Sequence, residues 1–235
     1  RDAILGEAVT ILRDAEGQFG PSPALRRDLV CYARLLGRAE LGALPIPSPR
    51  TAWEHYDLGR SYLRTGEHGR AEAEFRRSVD LQPGELWPNF FLGVCAYRLE
   101  RHQDAAASLS ICVALSPGTA ECYYNRAIAI EALDQPERAR ADYTRALDLR
   151  PDFTDAAMNR GILEYRRGRH AEAIRDLESA LAKLPAPDAR GQILYNMALV
   201  QLALRDRAAA ETSLKRAMGD GDARSRELYY RIQSK

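Results

Sequence analysis

Apolar residues recur at helical spacing along the chain, and from residue 52 onward small, large and turn residues also recur at a fixed interval. The stretch Ala120 to Phe153 sets the ruler, with small Ala127, Ala139 and Ala146, large Tyr143 and a terminal Pro151. Two intervals earlier the same register holds Gly59, Ala71, Phe75, Ser78 and Pro83, and the intervening interval holds Gly93, Ala105, Leu109, Cys112 and Pro117. The following one holds Gly161, Ala173, Leu177, Ala180 and Pro185. Starts fall at Ala52, Leu86, Ala120 and Thr154, so the period is 34. Each interval predicts two antiparallel helices, over about its first fourteen places and about places eighteen to thirty-one. Small residues at places eight and twenty let the two backbones approach closely. Gly66 and Gly168 fall where a left-handed turn is needed, and Asp134 followed by Pro136 reads as a cap-like helix start. The prolines end the second helices.

This spacing resembles the tetratricopeptide repeat (TPR). The resemblance implies an all-α fold, a right-handed superhelix (α-solenoid) of antiparallel helix pairs. The expected organisation is an N-terminal helical segment over 1–40, degenerate and TPR-like, a proline-rich linker over 41–51, five repeats over 52–222, and a C-terminal capping helix over 223–235. The repeats are 52–85, 86–119, 120–153, 154–187 and 191–222. The last restarts near Gly191, with Tyr195, Asn196, Ala198, Ala210, Leu214 and Ala217 in register after three added residues. In the N-terminal segment, Ile4, Ala8, Ile11, Leu12 and Ala15 predict a helix stopped by Gly17, Gly20, Pro21 and Pro23. Leu25, Leu29, Val30, Ala33 and Leu36 predict a second that ends at Gly37. The run LGALPIPSPR removes backbone donors at alternate places and holds the chain extended.

In the family the first helices line a concave surface, and places two, five, six, nine, twelve and thirteen face it. The peptide-binding candidates this places in the first two repeats are Trp53, Tyr56, Trp87, Phe90, Phe91, Tyr97 and Arg98, joined there by Asp57, Arg60, Arg64 and Val94. Later repeats supply Tyr124, Asn125, Asn159, Tyr165, Arg166, Tyr195 and Asn196, with Met158 beside Asn159. An amide side chain offers an acceptor and two donors, so asparagines one repeat apart suit the successive peptide groups of an extended ligand. The arrangement resembles the asparagine ladder in the TPR superhelix of O-linked N-acetylglucosamine transferase. The alternative reading has each asparagine solvated or bonded to its own stack. The aromatic half is open to two occupants, a partner segment or the N-terminal segment folded back over Trp53, Trp87 and Phe91. A carboxylate clamp of the co-chaperone type is not matched, because Tyr56, Arg60, Phe91, Glu121 and Asn125 stand at its places.

Composition adds bounds. With 46% hydrophobic and 29% charged residues the chain suits a folded domain with a sizeable core, and 34 basic against 33 acidic side chains give a net charge of +1. That balance gives no electrostatic reason to expect nucleic acid or an anionic membrane. No apolar run approaches the roughly 20 residues of a membrane span. The four cysteines, Cys31, Cys95, Cys112 and Cys122, form no CxxC pair and read as reduced core thiols of a cytoplasmic protein. The chain opens on Arg1 rather than Met and reads as a piece of a longer protein.

No phosphate-binding glycine string and no nucleophile motif occurs, so no enzyme, cofactor or metal is expected. His68, His102 and His170 share place seventeen, but repeats about 10 Å apart cannot bring them onto one ion. They read as turn residues at the second helix, and His55 as a packing residue. Arg126 and Arg160 replace the apolar seventh residue in the two repeats that carry Asp142 and Asp176 at place twenty-three, which predicts an ion pair inside each helix pair. The function expected is a non-catalytic scaffold binding an extended peptide or partner segment. Alternatives are the regulatory TPR region of a larger signalling enzyme and a homo-oligomerisation module. The run EAVTILRDAEGQFGPSPALRRDL resembles TPR-bearing C-terminal regions of some bacterial serine/threonine kinases.

Overall fold

The computed structural model describes residues 2–183 and 186–234. Among them every regular element is a helix. The chain folds as two compact bodies, one ending at Pro117 and the other beginning at Gly118.

In the first body, α1 (Asp2–Phe19), α2 (Pro23–Leu35) and the four-residue α3 (Ala39–Gly42) precede two full helix pairs. These are α4 (Ala52–Arg64) with α5 (His68–Leu81), and α6 (Leu86–Arg98) with α7 (His102–Leu115). The second body holds α8 (Ala120–Ala132) with α9 (Pro136–Leu149), α10 (Thr154–Arg166) with α11 (His170–Leu181), α12 (Pro187–Ala203) with α13 (Arg207–Gly219), and the closing α14 (Ala223–Gln233).

In the pairs α4–α5, α6–α7 and α10–α11, a large side chain lies where the facing residue of the first helix is a glycine with no side chain of its own. A Cβ added to Gly59 would stand 2.8 Å from the Phe75 ring, and one on Gly93 would stand 2.6 Å from Leu109. Gly161 would meet Leu177 at 3.0 Å and the Ala173 carbonyl oxygen at 3.1 Å. Phe75, Leu109, Tyr143 and Leu177 are fully buried in consequence. The small residue at place twenty-seven adds a bond in the first pair, where the Ser78 hydroxyl donates to the Ala52 carbonyl (2.7 Å).

The turn between paired helices uses one left-handed residue at place fifteen. Gly66 and Gly168 have φ of 77° and 73°, while Glu100, Asp134 and Arg205 adopt the same conformation at 61°, 55° and 61°. Asp134 is therefore the turn residue itself rather than a cap: Gln135 precedes α9 without a side-chain cap bond, and Pro136 occupies the first turn. Ahead of Pro83, Pro117 and Pro151, the residues Gln82, Ser116 and Arg150 leave the helix with φ near −140°, as clash with the proline ring requires. The break expected at Pro185 lies outside the described residues, and α12 starts at Pro187, four residues before the counted repeat start at Gly191.

α1 runs past Gly17 to Phe19, and Gly20 (φ 81°) turns the chain into α2, capped by Ser22 with Pro23 in the first turn. Gly37 supplies a left-handed turn at φ 68°. α3 then begins as a second helix would, but Pro45, Pro47 and Pro49 follow and it stops after one turn. The Arg34 guanidinium donates to the Gly42 carbonyl (2.8 Å) and Arg26 to that of Pro45 (3.2 Å), which ties the extended segment to α2.

α2 is fastened to α4 by a buried polar network. The Arg27 guanidinium donates to the Ser61 carbonyl (3.0 Å), the Ser61 hydroxyl (2.7 Å) and Thr65 (2.6 Å), pairs with Glu67, and lies 4.2 Å over the Tyr62 ring. Asp28 accepts from Ser61 and Arg64. Arg27 is 3% exposed, so its charge depends on these carbonyl, hydroxyl and carboxylate acceptors around its two terminal nitrogens.

In the second body the expected ion pairs are present. Arg126 meets Asp142 through two bonds of 2.7 Å, and Arg160 meets Asp176 identically and also reaches Thr144 at 3.0 Å. The carboxylate hydrogen bond raises each arginine above its ordinary range, against the opposing effect of burial. Asp142→Ala is expected to remove the two carboxylate bonds of the half-buried Arg126 and to lower unfolding free energy by about 2 kcal/mol, read by urea denaturation. In Glu100→Gly, Asp134→Gly and Arg205→Gly the left-handed strain is relieved; each should gain about 0.5 kcal/mol, least for Asp134 because Asp tolerates that conformation, measured as a rise in Tm.

Candidate peptide-binding surface

Two surfaces carry the candidate residues, one in each body. In the first, rings form a connected series: Trp53 lies 5.3 Å from Tyr56, Tyr56 6.0 Å from Phe91, and Phe91 6.5 Å from Trp87 and 5.3 Å from Phe90. The series is anchored below, because Phe91 stacks at 5.3 Å on Phe75, whose ring fills the space above Gly59. Depth separates its members. Trp53 and Trp87 are 68% and 45% exposed, whereas Tyr56 and Phe90 are each 8% exposed. Tyr56 and Phe90 are therefore mostly buried beneath the indoles, and burial pushes the Tyr56 hydroxyl above its ordinary range. The expected alternative of a fold-back cover is also corrected, since neither indole is buried by the N-terminal segment.

Between the two indoles lies a cleft of about 210 Å³, walled by Tyr56, Arg60, Gln82, Glu85 and Pro88. Arg60 stands 5.8 Å over the Tyr56 ring. Asp57, on the same helix, is raised by burial against the lowering effect of Arg60 and Arg64. Further along α6, Tyr97 is half-buried against His102 (5.2 Å) and Arg98 is exposed.

In the second body the surface is polar. Tyr124 packs at 4.6 Å on Phe153 and accepts from the Asn159 amide at 3.3 Å. Asn125 donates to the Glu121 carbonyl and Asn196 to the Gln192 carbonyl, both at 2.9 Å. One donor of each asparagine is thus committed to its own stack. Glu131 accepts from the Tyr143 hydroxyl (2.9 Å) and from Arg166 (2.7 Å), so exposed Arg166 is held by a carboxylate. Burial, with Glu131 beside it, pushes the Tyr143 phenol far above its ordinary range. Tyr165 lies against His170 at 5.7 Å. Tyr195 carries the Arg224 guanidinium of α14 at 4.6 Å, so the closing helix covers part of this candidate. The wall residues Gln82, Glu85 and Pro88 were missed from sequence because they fall in or beside the connecting loop, outside the six first-helix places.

Among the described residues no cluster of His, Cys, Asp and Glu could hold a metal, and no helix is long and apolar enough to cross a membrane.

Paired helices with the place-eight and place-twenty-four contact, a left-handed residue at place fifteen and proline-terminated second helices define an α-solenoid repeat protein. The family model described as tetratricopeptide repeat matches residues 56–120 and 124–189, more than half of the chain. The chain belongs to the tetratricopeptide repeat family. The solved structure of the MamA protein is similar at a TM-score of 0.64 and 22% identity, over 72% of this chain and 91% of that one. YrrB, described as a TPR protein with an unusual peptide-binding site, gives 0.63 and 17% over 78% and 92%. The C-terminal part of a TPR repeat-containing protein from Cytophaga hutchinsonii gives 0.62 and 13% over 95% and 93%. Among curated proteins no match was found.

The division between core and surface rings has a direct test. Tyr56→Ala should cost about 3 kcal/mol in unfolding free energy, as large-to-small core substitutions do, whereas Trp53→Ala should change it by less than about 1 kcal/mol. Equal losses in parallel urea titrations would overturn the division.

Proposed function

We propose that the protein is a non-catalytic interaction scaffold that binds an extended peptide or partner segment on its first-helix face. The observation that carries this reading is the pair of solvent-exposed indoles at Trp53 and Trp87, flanking one cleft on a packed base. Large apolar rings left in water beside a cavity are a recurring mark of a contact site. The rigid base reduces the ordering cost of binding. Trp53 and Trp87 act as anchors, while Phe91 supports them from beneath. On the second body, considered by itself, Asn125, Asn159 and Asn196 offer a peptide backbone their remaining donor and their carbonyl oxygen, in addition to their bonds within the stack. YrrB, which shares the fold, is described as having a peptide-binding site, and this favours the same class of partner here. The four cysteines, three of them buried, read as core residues of a protein in a reducing compartment, and we place the protein in the cytoplasm.

A peptide selected by display against the wild-type protein should bind the Trp53→Ala, Trp87→Ala double variant at least about tenfold more weakly, with Tm within a few degrees. A peptide selected against the Trp53→Ala, Trp87→Ala variant, which keeps the second body's surface, should be weakened by a smaller factor when Asn125→Ala and Asn159→Ala are added. Unchanged affinity in the tryptophan variant overturns the scaffold surface, and unchanged affinity in the asparagine variant removes the backbone contacts alone.

A further inference from the structure

The cleft between Trp53 and Trp87 has a charge pattern that narrows its ligand. The first-helix face of α4 and α6 carries three arginines, Arg60, Arg64 and Arg98, against one carboxylate, Asp57. Arg64 is taken up by Asp28. Arg60 and Arg98 form no ion pair among the described residues, and Arg60 is itself part of the cleft wall, set over the Tyr56 ring. Glu85 occupies the wall from the loop that precedes α6. Arg60 shares its charge with Asp57 on the same helix but remains exposed, so an apolar cavity bordered by an exposed guanidinium offers one ligand residue an aromatic pocket and the next a cation.

Resting on the scaffold reading, we propose that this cleft takes a bulky apolar or aromatic side chain of a partner segment whose adjacent residue is acidic. The ring enters between the indoles, and the adjacent carboxylate meets Arg60. A charge-assisted, planar contact of this kind gives orientation as well as affinity. A basic neighbour in the same position would instead meet a like charge, which disfavours it.

The molecule contains two tryptophans and both flank the cleft, so intrinsic tryptophan emission reports on this site alone. The probes are short tryptophan-free peptides in a glycine-serine background: phenylalanine between two glutamates, phenylalanine between two lysines, and alanine between two glutamates. The first should produce a saturable blue shift, with affinity at least about tenfold above the other two. Arg60→Glu, at an exposed position, should reverse the preference so that the lysine peptide binds better, with Tm unchanged. Response to the alanine peptide equal to that of its phenylalanine counterpart overturns the aromatic pocket. Equal response to the glutamate and lysine peptides, a preference that survives Arg60→Glu, or no shift with any peptide overturns the ligand class. The scaffold surface itself is judged separately, by the loss of display-selected binding in the Trp53→Ala, Trp87→Ala variant.

Discussion

The contact between places eight and twenty-four is the constraint on which the rest depends. A fully buried ring or branched chain at Phe75, Leu109 or Leu177 lies against a glycine that has no room for a Cβ. In the third repeat Ala127 faces Tyr143, and in the fifth Ala198 faces Leu214, all fully buried. Because the small and large partners are sixteen residues apart on consecutive helices, the contact fixes both the spacing of the helices and their sliding register. The turn has to deliver that register, which explains why place fifteen is left-handed even at Glu100, Asp134 and Arg205, where no glycine eases it. The strain is tolerated because a different turn would misplace a fully buried side chain.

The same local logic accounts for how differently the two bodies treat polar groups. Repeats three and four replace the apolar seventh residue by arginine and supply its acceptor from the facing helix, so each charge is bonded within its own pair. At the N-terminal edge, α3 stops after one turn ahead of the proline segment, and the Arg27–Glu67 and Asp28–Arg64 ion pairs join α2 to the first helix pair. Arg27 binds one backbone carbonyl and three side chains of the following pair. A directional network therefore holds α2 where a full repeat would use an additional packed helix.

These two cases show what was legible in the sequence. The helix pairs, the left-handed glycines and the Arg126 and Arg160 bridges all rest on fixed spacing within a repeat, and each interaction recurs or varies in concert with its partner. The Arg27 and Asp28 network was not legible, because its partners at Ser61, Arg64, Thr65 and Glu67 lie across the proline segment, with no second copy to reveal a pattern. The candidate surface was legible as a face but not in depth. Counting places selects Trp53, Tyr56, Trp87, Phe90 and Phe91 alike, yet side-chain direction and the neighbouring helix decide that Tyr56 and Phe90 close the core while the indoles stay in water. The asparagines show the same limit: spacing puts Asn125 and Asn196 on the face, but the carbonyl four residues earlier takes one donor from each.

The depth difference among the rings matters for binding as well as folding. Trp53 and Trp87 are held beside rings that are themselves wedged into the core: Tyr56 lies 6.0 Å from Phe75, and Phe91 stacks on it. Moving an indole base therefore means moving a fully buried side chain that sits against Gly59, so the surface inherits rigidity from the repeat contact. A surface positioned in this way loses little conformational freedom when a ligand arrives, and the apolar area it offers is already in place. In this protein the spacing that identifies the fold and the stiffness that suits the cleft to recognition have one origin, the closed approach of two helices around a residue with no side chain.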